Sequence, residues 1–473
     1  MQKILTTKIA IIGLIAVILM IPLSMISGKI SERSVYLQEA KNSVASSWTG
    51  PQKIVGPIIV LPYVVETKEE VWSAEKKETT IQVRKTSKKQ FFFPEQLKFE
   101  TSISNDMRYK GIYKVPVYTA QLNVKGMVNL ESIQRAIKNI KKKGDAVTIG
   151  KAYLSTMVSD PRGINSFPRL NWSNKTLAFS PGSKLHANTN GIHAYLPDLA
   201  PPNLIQANLS DIKFSFKLEL RGMETISFVP VGQEANVKVL SSWPHPEFTG
   251  MFLPTSRAID EEGYQAEWNI TSFASNITDK VKSCERGSCN ELFVNSFGVK
   301  HIETVDVYLQ SERSVKYGLL FIGLSFIAFF VFEIVKKLPI HAIQYTLVGV
   351  AIATFYLLLV SLSEHIPFAY AYLIATLCCV SLLFFYLCFV LRGFKQALGF
   401  SSLLSLLYGV LYVIISAEDF ALLMGASLTF LALLVVMIST RNIDWYEVSE
   451  RISSVKPGRK DVPNVDTEHE LER

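Results

Sequence analysis

Signatures of the common hydrolases and nucleotide enzymes are missing from this chain. Neither Gly-x4-Gly-Lys-Ser/Thr, nor a Gly-x-Ser-x-Gly elbow, nor His-Glu-x-x-His occurs in its 473 residues. Phosphate-cradling, serine-nucleophile and zinc-protease chemistry therefore have no local support. Histidine is scarce, with seven residues, and none has another His or a Cys at metal-ligand spacing. His186 and His193 come nearest and read as hydrogen-bonded or solvated loop residues. The sequence calls for no cofactor. Charge is sparse at 19%, and the Lys and Arg behind the net +8 never interleave with aromatics along one patch, so nucleic acid is a poor partner. With 48% hydrophobic residues and a mean hydropathy of +0.22, a disordered or fibrous chain is excluded.

What the chain does have is long apolar runs, concentrated after residue 316. Residues 9–26 form the first, behind Lys3 and Lys8. A cleavable signal needs small residues just before the cut, and Pro22 and Met25 stand there instead, so this run reads as a retained anchor. Residues 317–335, 344–362, 369–391, 398–415 and 421–438 are each close to the length that crosses a bilayer, which makes six spans. Lys3 and Lys8, Lys336 and Lys337, Arg392 and Lys395, and Arg441 all fall on one side of this arrangement. The opposite turns carry Ser363-Glu364-His365 and Glu418-Asp419 with no Lys or Arg. The positive side is expected to be cytoplasmic, with both termini inside and the segment from Gly28 to Arg313 exported. The expected layout is 1–27 cytoplasmic start and anchor, 28–316 exported domain, 317–440 helical bundle and 441–473 cytoplasmic tail.

Within the exported segment, period two dominates. Phe214, Phe216, Leu218 and Leu220 alternate with Lys213, Ser215, Lys217 and Glu219, as a half-buried antiparallel strand requires. Tyr118, Ala120, Leu122 and Val124 alternate likewise, and so do Val305, Val307 and Leu309. A helix is expected from Leu130, Ile133, Ile137 and Ile140, with Asn129 as its cap and Lys141 to Lys143 and Gly144 at its end. Another runs from Ser31 through Val44 as the membrane exit, and the charged segment 66–89 reads as a solvated hairpin. The fold class is thus a polytopic α-helical membrane protein, with a large mainly-β, sandwich-like domain between the first and second spans.

Few residues invite a chemical role. Cys284 and Cys289 lie in the exported domain around a turn at Gly287, where an oxidising compartment favours a local disulfide over two free thiols. Cys378, Cys379 and Cys388 lie in the fourth span as small packing residues. Glu333 is the one acid inside a confident span, and Lys336 and Lys337 one turn on make a snorkelled interfacial ion pair the expectation. Glu364, His365, Glu418 and Asp419 cap neighbouring helices on the outer side, either as ordinary polar turns or as a proton or cation site.

Several segments resemble the CreD family of bacterial inner-membrane proteins. They are Gly50-Pro51-Gln52-Lys53-Ile54-Val55-Gly56-Pro57, Asp160-Pro161-Arg162-Gly163, Ser242-Trp243-Pro244-His245-Pro246 and Gly263-Tyr264-Gln265-Ala266-Glu267-Trp268. In the membrane half Phe329-Phe330-Val331-Phe332-Glu333, Gln344-Tyr345, Val348-Gly349, Ser363-Glu364-His365 and Thr440-Arg441-Asn442-Ile443-Asp444-Trp445-Tyr446 follow in the same order. The resemblance implies a role in cell-envelope integrity and in the Cre two-component stress response, without catalysis and with no ligand residues to carry over.

Read physically, Gly50 to Pro57 sets the angle between exit helix and first strand. Trp243 and His245 make either a rigid aromatic turn packing one sheet on another or a ligand-binding loop. Arg441, Asp444 and Trp445 sit where the last span ends, as an interfacial anchor or a partner-binding segment. The expected partners are the lipid bilayer and an envelope protein or lipid. A transporter or lipid-handling protein with a path through the helices is the alternative.

Overall fold

A computed structural model describes residues 2–73, 78–142, 146–186, 189–199, 211–286, 289–302, 307–336, 340–391, 393–416 and 421–441. The chain divides into two compact units, Met1–Tyr36 with Val305–Arg473, and Leu37–Thr304. The division falls at 36/37 and 304/305 rather than at the expected 27/28 and 316/317. The helix Met20–Ser47 runs unbroken through the first expected boundary, and the residues before the second fold as the helix Val307–Lys316. That helix also corrects the strand expected from Val307 and Leu309. Tyr308, Ser311, Ser314 and Val315 are its buried residues, spaced for a helix, and three alternating apolar residues were too short a sample to tell the periods apart. Val305 lies outside the described residues.

In the helical unit, six helices among the described residues are long and apolar enough to span a membrane: Thr6–Ser47, Gly318–Lys336, Ala342–Ser363, Phe368–Val390, Phe394–Ser416 and Leu423–Thr440. The first is interrupted at Leu19, three residues ahead of Pro22, which has no N–H to give the carbonyl of Ile18. Ala342–Ser363 starts with His341 accepting from the Ile343 N–H, while the Gln344 side chain accepts from the His341 N–H. Rings fill the interior of this unit. Tyr408 lies 4.5 Å from Phe321 and 4.6 Å from Phe355 between centroids, and Phe329 lies 4.9 Å from Tyr345.

The other unit is built on two sheets. Its strands are β1 Gln52–Ser73, β2 Glu78–Phe92, β3 Gln96–Lys110, β4 Tyr113–Val128, β5 Ala146–Ile149, β6 Tyr153–Val158, β7 Arg169–Trp172, β8 Lys175–Ala178 and β9 Ser180–Pro181. They continue with β10 Gly191–Tyr195, β11 Ile212–Met223, β12 Thr225–Val229, β13 Glu234–Ser241, β14 Pro246–Gly250, β15 Ser256–Asp260, β16 Gly263–Thr271 and β17 Phe297–His301. The first sheet runs β14-β17-β12-β1-β6-β10-β9, with β2 and β5 also on β1. The second runs β15-β16-β13-β3-β4-β11-β7-β8.

The period-two segments land as expected in β4 and β11, which pair antiparallel from Ile212↔Val128 to Met223↔Val117. The inward residues of the second sheet meet those of the first in one core, where Phe99 of β3 contacts Phe228 and Trp268 of β16 contacts Phe297 at 5.5 and 5.4 Å between centroids. Two parallel pairings, β1 with β12 and β3 with β13, join strands far apart in sequence. The helix Leu130–Ile140 buries Leu130, Ile133, Ile137 and Ile140, and the Asn129 side chain accepts from the Ser132 N–H; Lys143 and Gly144 lie outside the described residues. Segment 66–89 is a hairpin, with β1 and β2 paired from Ile59↔Phe92 to Ser73↔Glu78.

Candidate functional site

Glu333 sits near the end of Gly318–Lys336 and is 6% exposed. Its partner is not on its own helix. Lys8, from the first helix, donates to its Oε1 and also to the carbonyl of Ile340 at 2.9 Å. The Tyr345 hydroxyl donates to Glu333 Oε2 at 2.8 Å. Lys336 is exposed and Lys337 lies outside the described residues. The expected snorkelled pair is therefore replaced by a buried cluster drawn from separate helices. A carboxylate at this depth is better satisfied by an ammonium and a hydroxyl already inside than by one that must bend back from water.

Glu364, at the C-terminal end of Ala342–Ser363, pairs with Arg33 of the first helix at 3.1 Å. His365 beside it is exposed, and Glu418 and Asp419 lie outside the described residues. Lys8 and Arg33 are separated by about 37 Å of helix at 1.5 Å per residue, somewhat more than the ~30 Å hydrocarbon core. One ion pair thus stands at each end of the first span.

The Gly50 to Lys53 motif gathers around Gln52, which is 0% exposed. Gln52 Nε2 donates to the carbonyls of Arg221 at 2.8 Å and Asp160 at 3.1 Å, and its Oε1 accepts from the Ser159 hydroxyl and the Asp160 N–H. A Cβ on Gly163 would lie 2.4 Å from the Arg221 carbonyl and 2.5 Å from Gln52 Nε2, so the turn admits only glycine here. The Lys53 N–H donates to the Ser159 hydroxyl, and the Gly50 N–H to Asp160 Oδ2. Pro51 gives its carbonyl to Ser159.

Arg162 holds Asp160 and also donates to the carbonyls of Ser46 and Ala45, the unsatisfied end of Met20–Ser47. Its guanidinium keeps the Asp160 carboxyl below the usual range. Trp48 follows, with the guanidiniums of Arg108 and Arg221 at 4.5 and 4.6 Å from its ring. At Gly56 the chain turns with φ +109°, where a Cβ would meet the Ser155 carbonyl at 2.8 Å. The motif does set the junction between exit helix and first strand.

Trp243 donates through Nε1 to the Ile302 carbonyl at 2.9 Å and packs edge-on to His301, while the exposed His245 accepts the Ile302 N–H on its carbonyl. His301 is buried against Tyr118 and Tyr264, whose hydroxyl lies 3.0 Å from its Nε2. Burial drives the His301 pKa down to about 4. This is a packed aromatic turn.

Cys284 and Cys289 form a disulfide. His186 and His193 are not brought together as ligands, for their Nδ1 atoms meet the carbonyls of Glu285 and Gly182 respectively. Among the described residues no three His, Cys, Asp or Glu are grouped to hold a metal ion. Arg441 is exposed, and Asp444 and Trp445 lie outside the described residues.

The second sheet carries a feature no motif announced. Across its outer face runs a cleft of about 690 Å³ over β16, β13, β3, β4, β11 and β7, and a second of about 470 Å³ lies further along β13, β3, β4 and β11. The strand-by-strand alternation of Lys and Asn with buried residues was legible; that those outward residues share one hollow was not.

These features define a polytopic membrane protein whose large two-sheet domain is inserted between the first and second of six spanning helices. The family model described as Inner membrane protein CreD matches residues 4–446. The chain is also similar to Inner membrane protein CreD of Escherichia coli strain K12, at 33% identity over 456 residues, 96% of this chain and 95% of that protein. The chain belongs to the CreD family of inner-membrane proteins.

Proposed function

We propose that the chain is a noncatalytic protein of the bacterial inner membrane that contributes to cell-envelope integrity and the envelope stress response. Its two-sheet domain faces the periplasm, both termini face the cytoplasm, and the domain engages an envelope component. The placement of Lys336, Lys395 and Arg441 on one side of the spans and of Glu364 on the other supports this orientation. The observation that carries the reading is the hollowed outer face of the second sheet, a binding-sized surface, with no three His, Cys, Asp or Glu grouped to hold a metal ion among the described residues. A path through the helices with Glu364 and His365 at its mouth has less support, because Glu364 is already held by Arg33.

The test is photo-crosslinking in intact cells from positions across the domain, with mass-spectrometric identification of what is captured. A specific envelope component is the expected product. Capture of nothing specific at normal protein level would overturn the reading.

A further inference from the structure

The outer face of the second sheet is ordered in rows. Asn269, Asn236, Lys98, Lys125, Ser215 and Asn171 are successive cross-strand neighbours over six strands. All point away from the core, since Trp268, Val237, Phe99, Val124, Phe216 and Leu170, next to them in sequence, are buried. In the first cleft three lysines, Lys98, Lys125 and Lys213, face the single acid Glu234. Glu100, in the second cleft, takes Lys98 and Lys125 as partners, and Asn165 donates to Glu219 there. Lys213 and Lys217 have no acid partner among the described residues. They stand on one face of β11, about 14 Å apart at 3.4 Å per residue. Taken together, the two clefts accompany β11 from Lys213 to Glu219, about 20 Å.

Two phenylalanines stand at its margins. Phe273 is 98% exposed, two residues beyond Thr271 of the first cleft, and Phe167 is 100% exposed, beside Ser166 of the second. Fully exposed Phe rings have no packing role in the folded chain. The loop bearing Phe167 is fixed to β11 by two hydrogen bonds from Asn165 to Glu219.

We infer that this trough binds a carboxylate-bearing glycan chain: the side-chain amides and hydroxyls pair with sugar hydroxyls, Lys213 and Lys217 take its carboxylates, and Phe167 and Phe273 stack on the apolar faces of sugar rings. Charge complementarity selects this occupant. Lysines without acid partners favour an anion. Of the three asparagines in the row, Asn236 already gives its N–H groups to Glu267 and Asn269, so Ser215 and the remaining capacity of Asn171 and Asn269 are what meet sugar hydroxyls. The exposed rings of Phe167 and Phe273 suit sugar faces. The inference deepens the proposed engagement of an envelope component and rests on that reading.

The full-length protein in nanodiscs is titrated calorimetrically with two probes, soluble peptidoglycan fragments that carry carboxylates and neutral chitotetraose. The fragments bind, and their affinity falls as salt rises. Lys213→Ala with Lys217→Ala weakens the fragments about tenfold or more and leaves chitotetraose nearly unchanged. Phe167→Ala and Phe273→Ala weaken both probes. All four positions are exposed or on the rim, and an unchanged melting midpoint shows that each variant is folded.

No binding of the fragments at millimolar concentration, or unchanged affinity in every variant, overturns the inference. If cells expressing the trough variants still deliver an envelope protein or lipid as the specific crosslink, the glycan inference fails and envelope engagement stands. If neither probe binds and nothing specific is crosslinked, both fail.

Discussion

Replacing Lys8 by Met should destabilise the helical unit far more than its position near the chain start suggests. The change removes the ammonium from Glu333, which is 6% exposed, and leaves its carboxylate with the Tyr345 hydroxyl alone. Breaking a buried ion pair from one side costs about 3–5 kcal/mol. The Lys8 side chain keeps 19% of its surface, so water reaches its end of the pair and the lower figure, about 3 kcal/mol, is the better one. Glu333→Leu should cost a similar amount, because Lys8 then retains only the Ile340 carbonyl.

The double variant Lys8→Met with Glu333→Leu leaves no stranded charge and should return to within about 1 kcal/mol of the natural protein. Lys336→Met, by contrast, should stay within about 0.5 kcal/mol, as an exposed residue. The assay is a double-mutant cycle on unfolding free energies of the purified protein, with membrane abundance of each variant as a second reading. Single losses below about 1 kcal/mol that simply add in the double variant would refute the buried-pair argument, and a costly Lys336→Met would restore the pairing within one helix.

Three further outcomes follow from the two-sheet unit. Gln52→Leu keeps the volume but strands the carbonyls of Arg221 and Asp160, so thermal unfolding should show a loss of about 2–4 kcal/mol, with Gln52→Glu also destabilised because it cannot donate to both. Acidification should weaken the domain through His301: between pH 6.5 and about 4 the unfolded chain binds a proton that the buried ring refuses, so stability falls across that window and levels below it. The total is about 3 kcal/mol, and urea titrations at pH 7 and pH 4.5 should differ by less in His301→Gln. Removing the disulfide with Cys284→Ser and Cys289→Ser closes no large loop, so a modest loss of about 2 kcal/mol is expected in chemical denaturation.

What could be read from the residues follows the range of the forces involved. The spans, β4, β11 and the Leu130–Ile140 helix were legible because each is written in the hydrophobic period of one continuous segment. The pairs Lys8 with Glu333 and Arg33 with Glu364 join residues 325 and 331 positions apart, and nothing in local spacing names a partner at that distance. A lysine one turn away is the natural guess, and it fails because the helix turns Glu333 inward while Lys336 remains exposed. A signal was nonetheless present, since an acid in the last turn of one span and a lysine ahead of another, both on the positive side, needed only to be considered together.

The same limit hid the trough. Alternation places Lys213, Ser215 and Lys217 outward, but the parallel pairing of β3 with β13 decides that Asn236 lies beside Lys98. That pairing joins segments 138 residues apart along the chain and has no signature in either. Motif by motif, the sequence-marked segments in this domain are those that hold the fold, Gln52 at the helix exit and Trp243 under the aromatic turn. The surface with binding geometry is assembled from residues that are individually unremarkable. In a domain of this kind, function is therefore to be sought on the face that register constructs, and substitutions there should separate binding from stability in a way that substitutions at Gln52 or Trp243 will not.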